Sequence, residues 1–133
     1  MSEPAEASPG VGLPRVVILF RPDDERETKL ARHLKQQLIQ KGHSVFLDRK
    51  RETSIEWATK IADQIRTASV LIPFLSEEGV ASEMLVCQVE TAHDTAQSQN
   101  GRPALIPIRV DWSGDLPEPI GGILDPIKHL LWE

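Results

Sequence analysis

A chain of 133 residues, 40% hydrophobic and 26% charged, has the size and balance of one globular domain. At that length folding buries roughly two thirds of the unfolded surface, enough for a real core. The net charge of −5 excludes a general nucleic-acid binder, which needs a basic surface from which to release counterions. A single cysteine, Cys87, excludes an intramolecular disulfide and a zinc cluster and suits a reducing cytoplasm. No apolar run approaches the ~20 residues that span a bilayer, so no membrane partner is expected.

Residues 1–14, acidic and rich in Pro, Ala and Ser, lack the pattern of a signal peptide and read as a disordered tail before a domain over 15–133. Arg15 to Phe20 is a branched apolar run, as in a strand buried on both faces. After the break at Arg21-Pro22-Asp23-Asp24, residues Glu25 to Lys41 place Leu30, Leu34 and Leu38 on one helical stripe, with Gly42 as the stop. Ser44 to Leu47 is a short second strand, followed by a polar loop from Asp48 to Ser54. Trp57, Ile61 and Ile65 mark a second helix ending near Ala68, and Ser69 to Leu75 is a third strand.

Ser82 suits an N-cap, with Glu83 where the helix dipole favours an anion, for a third helix whose core stripe is Leu85, Val89, Ala92 and Ala96. A polar linker, Gln97 to Arg102, leads to a fourth strand over Ala104 to Val110, locally weakened by Pro107. Asp111 to Pro126 is rich in Gly and Pro and has little helical periodicity; His129 to Trp132 is a last strand.

Alternating strands and helices imply a flavodoxin-like three-layer α/β sandwich of about five parallel strands in the order 2-1-3-4-5. Ligands of such sheets bind beyond the carboxyl ends of strands 1 and 3, where the order reverses. That crevice is expected to be lined by Arg21, Pro22 and Asp23 on one side and by Ser76, Glu77 and Glu78 on the other, with the start of the third helix facing it. A charged residue at the mouth of a buried strand needs an acidic partner or an anionic ligand, which singles out Arg21.

No G-x-G-x-x-G follows the first strand, and there is no Walker lysine loop. Asp23 and Asp24 sit where phospho-receiver domains keep metal-binding acids. The third strand then lacks the phosphorylatable aspartate, ending instead in Leu75-Ser76. The four histidines show no metal-ligand spacing, and no metal or cofactor is expected.

Other features form an ordered series. They are Leu19-Phe20-Arg21 closing the first strand, Val45-Phe46-Leu47-Asp48, Ser54-Ile55-Glu56-Trp57, Leu71 to Ser76, Ser82 to Ala92, and Leu105-Ile106-Pro107-Ile108 followed by Leu116-Pro117. Together they resemble Toll/interleukin receptor (TIR) domains over about Arg15 to Trp132. Ser82-Glu83-Met84 and Ile106 to Val110 look most like prokaryotic members fused to nucleotide-binding signalling modules.

Enzymatic TIR domains carry an aromatic residue, a glutamate four positions later and an alanine four further on; this chain has Met84, Gln88 and Ala92. In the family that glutamate helps to break the bond between nicotinamide and ribose in NAD. The transition state resembles an oxocarbenium ion, which a carboxylate stabilises. Gln88 has the shape without the charge, and losing one such contact costs about 10²–10³ in rate, roughly 3–4 kcal/mol. Glu90 is a poor substitute, because two residues along a helix turn the side chain by roughly 200°.

The resemblance implies a signalling and self-assembly module in prokaryotic immune defence, with impaired or absent NAD hydrolysis. Two alternatives stay open: an active NAD glycohydrolase, completed by a neighbouring copy, and a nucleotide sensor that binds without turnover. The implied ligand crevice comprises Phe20, Arg21, Asp23, Asp48, Trp57, Ser76, Ser82 and Met84 around Gln88. Plainer readings stand beside these roles: Gln88 as a solvated helix residue, Trp57 as a core anchor, Asp48 as a loop cap and Cys87 as inert.

In the family the loop after the second strand inserts into a neighbouring domain. Here that loop carries Arg49, Lys50, Arg51, Glu52 and Thr53, three consecutive cations on an acidic chain, suited either to docking on a second copy or to plain solvation. A fifth strand ending at Trp132 leaves no following helix, so Leu130, Leu131 and Trp132 are expected to be exposed and to meet a second protein or fused domain.

Overall fold

The computed structural model describes residues 15–48 and 55–132, with the backbone alone at Asp48, Ile55, Trp57 and Ala58. The expected tail, the cationic loop 49–53 and Glu133 lie outside the described residues. In chain order the elements are β1 (Arg15–Leu19), α1 (Glu25–Gln40), β2 (Ser44–Asp48), α2 (Ile55–Thr67) and β3 (Val70–Leu75). A 3₁₀ turn at Gly79–Ala81 then leads to α3 (Glu83–Ser98), β4 (Ala104–Leu105), β5 (Ile108–Val110), α4 (Ile120–Leu124) and β6 (Leu130–Trp132).

All pairings are parallel, and the strand order is β2-β1-β3-β5-β6, with β4 also paired to β3. This is the expected doubly wound sheet, with one difference. The fourth strand is two short pieces, because Pro107 has no N–H to give to a ladder. Ala104 and Leu105 pair with Val70 and Leu71, and Ile108 and Arg109 pair with Phe74 and Leu75. Across the break, Ile106 donates to Leu71 and the Pro107 carbonyl accepts from Leu130, so the backbone stays satisfied on both sides of the proline.

Alternation along β1 feeds two cores. Val17 and Leu19 pack with Ile61, Ile65, Leu71, Leu75, Val89, Ile120 and Leu124, beneath α2, α3 and α4. Val16 and Ile18 pack with Leu30, Ala31, Ile72, Phe74, Ile108 and Val110, beneath α1. The α1 helix begins at Asp24, whose side chain accepts from the Glu27 amide, and stops at Gly42, whose φ of 92° a side chain would disfavour. The α4 turn is an addition to the elements expected from sequence. Its five residues are too few to show a period, yet Ile120 and Leu124, four apart, are both fully buried.

Candidate functional site

The strand order reverses between β1 and β3, and a cavity of about 390 Å³ opens there. Small-molecule sites run from about 300 to 1,000 Å³, so its size suits a ligand rather than a few waters. Leu19, Phe20, Arg21 and Pro22 form one wall, Phe74 the back, Glu78, Gly79, Ala81 and Ser82 the far rim, and Met84, Leu85 and Gln88 the face of α3. The β-strand ends supply apolar surface: the Phe20 and Phe74 rings lie 6.4 Å apart, tilted by 56°.

Local structure explains why α3 faces this opening. Ser82 adopts extended backbone and its hydroxyl accepts from the Leu85 amide, 3.4 Å away, so the helix starts at the rim with its N-terminus toward the crevice. Leu85, Val89 and Ala92 anchor it in the core. The row Met84–Gln88, one turn apart, then flanks that stripe on the cavity side. Gln88 is 9% exposed, a buried amide rather than a solvated helix residue.

Arg21 stands at the mouth with its side chain 30% exposed; its guanidinium lies 3.6 Å from Asp24 and 3.8 Å from Glu78. These are long, partly solvated contacts of the kind worth about 0–1 kcal/mol, so the guanidinium is free to turn toward an anion. Asp24 is shared with Arg26, at 3.7 Å, and Arg26 reaches across to Asp111 at 3.1 Å.

Glu27 also lines the cavity, and its carboxyl group has no exposed surface. Its Oε1 accepts from the Arg21 amide at 2.9 Å and its Oε2 from the Ser76 hydroxyl at 2.9 Å; Ser76 Oγ in turn accepts from the Gly79 amide at 3.1 Å. Burial pushes the carboxyl above its ordinary value, and the Asp24 carboxylate adds to that push. The Arg21 amide, the Ser76 hydroxyl and the Arg21 charge pull it back.

Of the residues expected in the crevice, Phe20, Arg21, Ser82, Met84 and Gln88 share the cavity wall. Asp23 is exposed and off the wall, since the chain turns outward after Pro22. Ser76 is 2% exposed and points its hydroxyl at Glu27, so it supports the wall from behind. Asp48 pairs with Leu19 through the sheet, but its side chain, like that of Trp57, lies outside the described residues. Glu77, expected beside Glu78, is off the wall. Sequence reasoning missed Glu27, although a signal was present: position 27 lies on the apolar stripe of Leu30, Leu34 and Leu38, where a charge is out of place. Among the described residues no group of acids, histidines and cysteines could hold a metal ion, and no helix is long and apolar enough to cross a membrane.

A parallel sheet reversing at β1/β3, with a ligand-sized crevice walled by the start of α3, defines a doubly wound α/β domain. A family model described as "TIR domain" matches residues 16–132, and the chain belongs to that family. No curated protein matches it. Among solved structures it is similar to the TIR domains of the activated Roq1 resistosome, which directly recognises the pathogen effector XopQ. That match has a TM-score of 0.57 and 23% identity, covering 74% of this chain and 59% of that one. The likeness is one of fold, and this chain spans about three fifths of the length it matches.

Proposed function

We propose that this TIR domain is a signalling and self-assembly module whose crevice binds a nucleotide such as NAD but cleaves it poorly or not at all. One observation carries the reading: the α3 side chain on the cavity wall, where the family's glutamate is expected, is the amide of Gln88. An amide donates and accepts hydrogen bonds but supplies no negative charge to a developing oxocarbenium ion. Arg21 at the mouth suits the phosphates of a dinucleotide, and the apolar back suits a flat ring. Self-association through Arg49, Lys50 and Arg51, a second partner at the β6 edge, and a role in prokaryotic immune defence in the cytoplasm belong to the same proposal. The Roq1 assembly, in which TIR domains occur together, supports the assembly part by analogy of fold.

The test is nicotinamide release from NAD by the concentrated protein, with Gln88→Glu alongside. The native chain is expected to be silent or slow, and Gln88→Glu to be faster by about 10²–10³. Rapid release by the native chain overturns the reading.

A second reading, an active glycohydrolase, has one observation in its favour. The wall includes a second carboxyl group besides the occluded Glu27, that of Glu78, whose side chain is 62% exposed at the rim. If native protein turns over NAD, loss of that activity in Glu78→Gln assigns the carboxylate.

A further inference from the structure

We propose that Glu27 is a positioning residue: a buried clip that ties the loop after β1 to the turn after β3 and so fixes the spacing between the two rims of the cavity. The rims belong to segments far apart in sequence. One is Arg21 and Pro22; the other is Gly79 to Ser82, from which α3 starts. Glu27 reaches both through a chain of three hydrogen bonds, Arg21 amide to Glu27, Ser76 hydroxyl to Glu27, and Gly79 amide to Ser76. The Ser76–Glu27 and Gly79–Ser76 bonds are buried and the Arg21 bond is part-buried, so an unpaired partner in this chain is costly.

Packing tightens the same joint. A Cβ on Gly79 would stand 2.9 Å from Ser76 Oγ and 3.6 Å from Arg21 Cδ, so glycine is what lets the turn close on the clip. The clip also carries a proton-dependent element. The groups facing Glu27 are Asp24 and Arg21 from the segment before α1 and Ser76 from the β3 side, whose Oγ accepts from the Gly79 amide; Glu78 is ion-paired with Arg21. Among the described residues Arg21 is the one cation acting on Glu27 and the smallest of these influences, and burial, the largest, favours the neutral acid. Ionising Glu27 places a charge in a closed space and draws water toward the joint, so the clip loosens as pH rises.

Amide hydrogen exchange followed by NMR tests this without any ligand. In Ser76→Ala the Gly79 amide loses its acceptor. The deciding amide is that of Arg21, which Ser76 does not touch. It is expected to exchange about tenfold faster or more, the scale of one lost hydrogen bond. In Glu27→Gln the Arg21 amide keeps its protection, and the ratio of native to variant exchange rises with pH. An Arg21 amide unchanged in Ser76→Ala, or a ratio flat in pH, overturns the clip. Should Ser76→Ala fail to fold, the pH profile of Glu27→Gln decides alone.

The role in ligand binding rests on the proposed function. NAD affinity is expected to fall in Ser76→Ala and to lose its pH dependence in Glu27→Gln. Native protein that takes up no NAD overturns the ligand reading and leaves the clip to the exchange rates.

Discussion

A carboxyl group with no exposed surface either gives up its charge or finds donors, and Glu27 is drawn both ways. Two donors reach its oxygens, yet burial outweighs them and raises its protonation range. The consequence for stability has a definite sign. A folded-state value raised above the ordinary one near 4.5 means the folded protein holds a proton that the unfolded chain releases. Stability from this group is therefore complete below that ordinary value and is lost as pH rises through the raised one. Glutamine cannot ionise, and its amide can accept from the Arg21 N–H while donating to Ser76 Oγ. Glu27→Gln is thus expected to gain on the native protein as pH rises above the ordinary value near 4.5. Urea midpoints across that range check it, and the gain should exceed the roughly 0.5 kcal/mol of an ordinary surface change. A constant difference across the range contradicts the assignment.

Two helices flank the cavity, and each owes its start to one side chain. Asp24, a charged cap, accepts from the Glu27 amide at 3.0 Å and lies beside Arg21 and Arg26, while Ser82, an uncharged cap, accepts from the Leu85 amide at 3.4 Å. Asp24→Ala is expected to cost about 1–2 kcal/mol and Ser82→Ala about 0.5–1 kcal/mol, read from chemical unfolding. Equal losses would mean the charge at Asp24 contributes nothing. The Ser82 cap, the stripes of α1, α2 and α3, and the reversal at β1/β3 were legible because each is a local period or a spacing. The α4 turn was not, since one turn has no period. The break at Pro107 was visible as a weakness, but splitting the strand depends on which part of β3 each half pairs with. Glu27 was legible only as a charge on an apolar stripe; that Ser76 lies opposite it is a fact of long-range packing. Asp23 and Asp24 look alike in sequence, and only the direction of the chain after Pro22 separates an exposed acid from a helix cap.

On the scale of the whole molecule, the two ends of the sheet differ. Beyond the carboxyl ends of β1 and β3 the crevice is framed by α1 and α3, whereas at the β6 edge Leu130, Leu131 and Trp132 are 48%, 55% and 46% exposed. Beside them a groove between α1 and β6 is lined by Arg26, Lys29, Leu30, His33 and Trp132. Association of two copies through the cationic loop 49–51 and association through this apolar edge respond oppositely to salt. Salt screens a charged docking face over about 8–10 Å, while burial of apolar area is kept or strengthened. Light scattering over a range of protein concentrations therefore separates them when Arg49→Glu/Arg51→Glu is compared with Leu131→Lys. The loop variant is expected to remain monomeric at low salt, matching native protein at high salt. Leu131→Lys is expected to keep self-association, bind less hydrophobic dye and change stability by no more than about 0.5 kcal/mol, since the side chain is mostly in water. Loss of association in Leu131→Lys alone moves the contact between copies to the β6 edge. A native protein that stays monomeric at every concentration removes self-assembly from the proposed function and leaves the crevice as the part of the molecule to pursue.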